Sequence, residues 1–331
     1  MSAPKEDAKW PRAAHWLKPF ADEANIDIAV YGVCASKTSI SPTGAHTTPD
    51  AIRQALLRYS TYSWSQDIDL AELVARDFGN SFHPDSPEGE ETTKHLAKQA
   101  ANASQLAIAL GGDNSVTFAG MVGGHDLSKA GLITFDAHHD LRDGVSNGSP
   151  VRRLVEAGLP GNRIVQIGIN DFSNSPQYAK LAKELGILVI TRAQLRTQSP
   201  EETWQQAIAF LGGVESIHVD FDVDVCDRSV VPACPAAAPG GISADELRHF
   251  ALLAGKTNTV SSMDITEIDA TADSPDKRTI RLAALLILEA STGVALHRGC
   301  SPLGPAQRPL LSTGVALRQG LLCSAQPRCS P

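Results

Sequence analysis

Leu132-Ile-Thr-Phe135 runs without a break into Asp136-Ala-His-His-Asp140. An apolar run that passes at once into carboxylates and imidazoles reads as a buried strand releasing ionisable groups at its open end. The chain repeats the arrangement twice. Leu106-Ala-Ile-Ala-Leu110 leads into Gly111-Gly-Asp-Asn-Ser115, and Ile217-His-Val-Asp-Phe221 leads into Asp222-Val-Asp224. Carboxylates and an imidazole gathered in one place would repel without a cation, so the pattern implies a divalent metal ion.

Working outward, Ile26-Asp-Ile-Ala-Val-Tyr31, Ile164-Val-Gln-Ile-Gly-Ile169, Ile187-Leu-Val-Ile190 and Ser261-Ser-Met-Asp-Ile265 also read as short buried strands. Helical periodicity fills the intervals at 49–59, 92–103, 176–185, 200–211 and 243–254, several opening on a capping residue or proline. Strands alternating with helices are βαβ units, which build a parallel sheet covered on both faces. Ligands of such sheets bind outside the carboxyl ends of the strands. Three strands releasing acidic or histidine residues at that edge therefore predict a site there.

In an extended 136–140 segment, Asp136, His138 and Asp140 share one face and His139 points the other way. Asp222 and Asp224 share a face with Val223 opposite. His218 and Asp220, further back on the same strand, read as hydrogen-bonded core groups that support the ligands.

Composition narrows the class. A chain of 331 residues with 42% hydrophobic content can bury a large core as one domain. That domain is expected over 1–299, followed by a poorly ordered, Pro-, Gly- and Ser-rich tail over 300–331 with room for a short helix at 314–322. The net charge of −8 argues against nucleic acid and against anionic membrane as partners. No apolar stretch of about 20 residues and no secretory leader stand out, so a cytoplasmic protein is expected. The six cysteines form no CxxC pair and read as free thiols.

Taken together, Gly111-Gly-Asp-Asn-Ser115, Asp136-Ala-His-His-Asp140, Asp222-Val-Asp224 and Asp264-Ile-Thr-Glu-Ile268 resemble, in order and spacing, the motif series of the ureohydrolases, the arginase and agmatinase superfamily. The resemblance implies a three-layer α/β/α fold with a central parallel sheet of about eight strands. It also implies two Mn²⁺ ions at the sheet's carboxyl edge, a small-molecule amidine or guanidino substrate, and a homo-oligomer. Asp140-Leu-Arg142, Ser146-Asn-Gly-Ser-Pro-Val-Arg152 and Thr48-Pro-Asp-Ala-Ile-Arg-Gln-Ala-Leu56 are more similar to the formimidoylglutamase branch. That branch hydrolyses N-formimidoyl-L-glutamate to glutamate and formamide by attack of a metal-bound hydroxide.

By the resemblance, Asp136 and Asp222 bridge the ions, His138 and Asp224 complete one site, and Asp140 with Asn114 the other. Asp140 also handles the proton passed to the leaving nitrogen, and Glu267 holds the formimino nitrogen by a charge-assisted bond. Arg142 and Arg152 are candidates for the substrate's carboxylates, because a guanidinium binds a carboxylate bidentately. Asn147 and Ser149 would add hydrogen bonds, and Asp171 would take the α-amino group.

Two departures stand out. Asn114 replaces the histidine ligand of most ureohydrolases with a weaker neutral donor, so one ion is an alternative to two. The loop after Asp140 has no histidine to match the arginase proton shuttle. The alternatives are an agmatinase or guanidino-acid hydrolase releasing urea, and a catalytically weakened metal-binding subunit of a related oligomer.

Overall fold

The computed structural model describes residues 7–21 and 25–299. In chain order its strands are β1 Lys18–Pro19, β2 Ile26–Val33, β3 Tyr62–Ser63, β4 Ile68–Asp69, β5 Ala75–Ser81, β6 Ser104–Leu110, β7 Ala130–Phe135, β8 Ile164–Ile169, β9 Leu188–Thr191, β10 Ser216–Asp222 and β11 Val260–Thr266. The α-helices are α1 Ala13–Trp16, α2 Thr48–Ala55, α3 Pro87–Ala103, α4 Val116–Gly124, α5 Pro150–Glu156, α6 Pro176–Glu184, α7 Pro200–Phe210, α8 Ala244–Lys256 and α9 Arg278–Arg298. β3 and β4 pair antiparallel by themselves. The remaining nine strands form one sheet in the order β1-β5-β2-β6-β11-β10-β7-β8-β9, parallel at every pairing. The expected count was about eight; the two-residue edge strand β1 makes the ninth.

The pleat divides the core. Along β7, Ile133 and Phe135 face one helical layer while Ala130 and Leu132 face the other. The first layer is anchored by Phe135, stacked on Phe221 at 5.0 Å and packed on Phe250 of α8 at 4.6 Å. This is the three-layer α/β/α arrangement, arginase-like in its large parallel sheet.

Two departures from expectation have local causes. The helix expected from 92 begins at Pro87, because Ser86 Oγ accepts from the Gly89 N–H at 3.0 Å and caps it. The helix α9 was not foreseen, nor was any apolar stretch of its length. It is long and apolar enough to cross a membrane by length and composition, yet 78% of its most apolar window is buried inside the protein. It packs on α8 at close range: a Cβ at Gly255 would meet the Ala290 carbonyl, and one at Gly293 the Leu252 carbonyl. The expectations for 300–331 fall outside the described residues.

β6, β11, β10 and β7 are consecutive neighbours at the middle of the sheet. Their carboxyl ends therefore lie side by side, at the point where the strand order reverses.

Candidate active site

Asp136 follows β7, Asp222 ends β10, Asp224 sits one turn beyond it, Asn114 follows β6 and Glu267 follows β11. The ligand candidates converge by bending rather than by the extended pleat expected for 136–140. Asp136 Oδ1 accepts from the His138 N–H at 2.6 Å, and Asp140 takes a left-handed φ of 51°. On β10 the same device recurs, with Asp222 Oδ1 accepting from the Asp224 N–H at 2.8 Å. Asp224 Oδ1 then accepts from the Ala137 N–H at 2.9 Å and ties the two turns together. His138 Nδ1 lies 2.7 Å from Asp224 Oδ2 and 3.4 Å from Asp136 Oδ1. One ligand atom from each of Asp136, His138 and Asp224 lies within 4.8 Å of the others. His139 turns away, its Nδ1 hydrogen-bonded to Gln166 Oε1 at 2.7 Å.

The charge in this basin is not balanced by the protein. Burial, and then the neighbouring carboxylates, push Asp136, Asp220 and Asp222 well above the usual carboxylate range. Asp140 is raised to about 7, by burial first and by Asp224, against the opposing His138 and Asn114. Burial alone would lower His138, but the surrounding carboxylates, Asp224 foremost, raise it to about 9. Asp224 is the exception, held low because His138 outweighs its burial. Oxygen and imidazole donors with this surplus of negative charge fit a divalent cation.

Asn114 and Glu267 form a second group beside Asp140. The Asn114 Nδ2 donates to Asp140 Oδ2 at 2.7 Å, while its Oδ1 accepts from Thr117 and Thr266, each at 2.9 Å. The amide nitrogen, not the oxygen expected to bind metal, therefore faces the basin. Glu267, at φ 63°, is buried, and its Oε1 accepts from the Asn114 N–H at 2.7 Å and from Asn147 Nδ2 at 2.8 Å. Burial raises it to about 8 despite those two donors.

These groups open on a cavity of about 390 Å³ with His138, Asp140, Asp222 and Asp224 among its lining and Glu267, Asn147, Arg142 and Tyr178 on its walls. Three of the expected substrate contacts are placed elsewhere. Ser149 is fully buried and its Oγ donates to the Ser146 carbonyl at 2.9 Å. Arg152 is held by Glu156 at 2.7 Å and Asp143 at 3.1 Å, outside the cavity. Asp171 is exposed, whereas Ser173 and Asn174 of the same loop reach the cavity.

Asn174 is a residue the sequence reading passed over. It holds the 137–139 turn by accepting from the His139 N–H at 2.8 Å and donating to the Ala137 carbonyl at 2.9 Å. Its position just after β8 was the available signal. Asp113 was likewise missed; its Oδ2 accepts from Ser39 Oγ at 2.9 Å and secures the 38–41 loop at the mouth.

Behind the basin, His218 binds Ser262 Oγ through Nδ1 at 2.6 Å and Asp264 Oδ2 through Nε2 at 3.0 Å. His125, at the end of α4, continues the chain to Ser262 at 2.5 Å and Ser216 at 2.7 Å.

Residues 26–292 match the arginase family. The chain belongs to that family. It is 37% identical to a formimidoylglutamase of Halalkalibacterium halodurans over 300 residues, which cover 87% of this chain and 93% of that one. Among solved structures it is similar to the formimidoylglutamase of Bacillus subtilis, with a TM-score of 0.82, 29% identity and coverage of 91% and 95%. A formiminoglutamase of Trypanosoma cruzi with Mn²⁺ gives a TM-score of 0.77 at 25% identity, covering 86% of this chain and 99% of that one. This arginase-family chain is a metal-dependent hydrolase of carbon–nitrogen bonds in linear amidines, and Asp136, His138 and Asp224 form a cluster that could hold a metal ion.

Proposed function

We propose that the substrate is N-formimidoyl-L-glutamate, split by water into glutamate and formamide. The observation that carries this reading is the pairing of opposite charges across one cavity. Glu267 is a buried carboxylate with one oxygen engaged by Asn114 and Asn147, which leaves the other for a cationic amidine. Arg142 lines the same cavity, and its guanidinium has no ion-pair partner among the described residues. A molecule with an amidinium at one end and carboxylates at the other matches both. Agmatine, cationic at both ends, would set an ammonium against Arg142. The identity to the Halalkalibacterium formimidoylglutamase supports the same branch.

Asp136, His138, Asp222 and Asp224 would hold Mn²⁺, with Asp140 and Asn114 beside a second ion. Such ions, when bound, supply water of lowered pKa at neutral pH. The chain's own residues do the rest. Glu267 fixes the amidinium so that its carbon faces the basin. Asp140, a buried carboxylate lining the cavity beside the basin, is placed to take a proton from the attacking water and return it to the departing nitrogen. Arg142 anchors the carboxylate end and so sets how deep the amidine enters.

Protein supplied with Mn²⁺ is expected to release formamide from N-formimidoyl-L-glutamate and no urea from agmatine. Urea from a guanidino compound with no formamide would overturn the branch. Two bound ions per chain are expected only if the Asn114 amide turns its oxygen to the basin; metal analysis at saturating Mn²⁺ decides this.

A further inference from the structure

Asn147 lies where a substrate contact was expected, yet its hydrogen-bonding groups face the protein. Its Nδ2 donates to Glu267 Oε1 at 2.8 Å, its Oδ1 accepts from the Ile40 N–H at 3.0 Å, and its own N–H donates to the Thr38 carbonyl at 3.2 Å. The last two bonds join the loop after β7 to the loop after β2, which both line the cavity. The first reaches the carboxylate after β11. A short side chain held through both its amide nitrogen and its oxygen, on a backbone tied at a third point, has little freedom left to meet a substrate.

We infer that Asn147 is a positioning residue, a latch that aims Glu267 at the cavity and fixes the 38–41 mouth loop to the same frame. Two further observations agree. Glu267 sits in a left-handed backbone conformation, which for a residue with a side chain persists only where its surroundings hold it. The donors on its Oε1, Asn147 Nδ2 and the Asn114 N–H, come from opposite sides of the basin, after β7 and after β6. Removing one leaves the carboxylate free to pivot about the other. The mouth loop has a second tie of its own, through Thr38 and Ser39 to Asp113 at 3.3 and 2.9 Å. Loss of Asn147 would therefore loosen the loop without releasing it, and the larger effect falls on Glu267.

This rests on the reading that Glu267 holds the cationic amidine. Its test is a double-mutant cycle on the Mn²⁺-loaded enzyme with Asn147→Ala, Glu267→Gln and the pair. If Asn147 acts through Glu267, Asn147→Ala lowers kcat by roughly 10- to 100-fold, as a misaimed group does, with KM changed less than about threefold. In the Glu267→Gln background the same change costs almost nothing. Additive losses would overturn the latch, as would a loss confined to KM, which marks a substrate contact. Binding of formamidinium, followed by calorimetry, runs the same cycle without turnover. If wild-type protein turns over no amidine at all, the proposed function fails, and the calorimetric cycle still decides the latch.

Discussion

The strands β10 and β11 bury two clusters of ionisable groups, one toward each end, and the two are built to opposite rules. Toward the amino end, His218, His125, Ser262, Ser216 and Asp264 form a chain in which each imidazole nitrogen has a protein partner, and the one buried oxygen left over is Asp264 Oδ1. Toward the carboxyl end, Asp222, Asp224 and Glu267 meet Asp136 and Asp140, and among the described residues His138 is the one cationic group in ion-pair contact with them. A buried polar network stabilises a fold when its members satisfy one another, and it destabilises the fold when they do not. The same two strands thus carry a structural cluster and one that calls for charge from outside.

The sharpest way to break that contrast is to remove carboxylates from the outer cluster. Asp136→Asn or Asp222→Asn is expected to abolish turnover, by roughly a thousandfold or more if the ions supply most of the acceleration, and to lower bound metal by elemental analysis. Activity retained within a factor of ten would show that the basin is not the reacting site.

Next in size is the pH response of metal-stripped protein. Asp136, Asp140, Asp222 and Glu267 have folded pKa values raised above those of an unfolded chain, so the folded form binds more protons and is favoured at low pH. That advantage is lost as pH rises from the unfolded carboxylate range through about 7 for Asp140 and about 8 for Glu267. His138, raised to about 9, acts in the same direction. His125, lowered to about 3 by burial, and His139, also lowered by burial, oppose it in the imidazole range but are fewer than the raised groups, and Asp224 opposes only at lower pH. Denaturant midpoints of chelator-treated protein should therefore fall between pH 5 and pH 8, by the sign of these shifts, and added Mn²⁺ should restore them. A midpoint that rises over this interval would contradict the charge balance described for the basin.

The inner cluster should respond differently. His218→Leu leaves Asp264 without its imidazole partner and Ser262 with His125 alone, and is expected to cost about 1–3 kcal/mol of stability. Metal content should stay unchanged. Loss of metal in that variant would merge the two clusters into one functional unit.

The smallest effect separates the two arginines. Arg142→Ala should raise KM for a dicarboxylate substrate by about tenfold, the scale of one charge-assisted contact. Arg152→Ala should change it by less than about twofold, since that guanidinium is already engaged by exposed carboxylates. Equal effects would place Arg152 in the cavity after all.

The central strands were legible because a run such as Leu132-Ile-Thr-Phe135 is buried on both faces and carries no competing helical period. β5 was not, since Arg76, Asp77 and Asn80 interrupt its apolar pattern near the edge of the sheet. α9 escaped because its apolar residues extend round much of the helix and mask the one-sided period that marks a surface helix. In the site, residue types were readable and their directions were not. The turn at Asp140 and the orientation of the Asn114 amide depend on partners such as Thr266 that lie far away in sequence. The engagement of Arg152 was within reach, because Glu156 stands four residues on along a helix.

β11 holds the sheet together in a way that bears on how the protein is made. On one side lie β1, β5, β2 and β6, on the other β10, β7, β8 and β9, and β11 is the strand that pairs with both. Without residues 260–266 no pairing would join the two halves of the sheet. Asn114 belongs to one half, Asp136 and Asp222 to the other, and Glu267 to the strand that joins them. Bringing Glu267 and Asn114 to Asp136, His138, Asp222 and Asp224 thus depends on contacts distant in sequence, which form slowly, whereas those last four residues sit at the ends of the neighbouring strands β7 and β10 and can be gathered first.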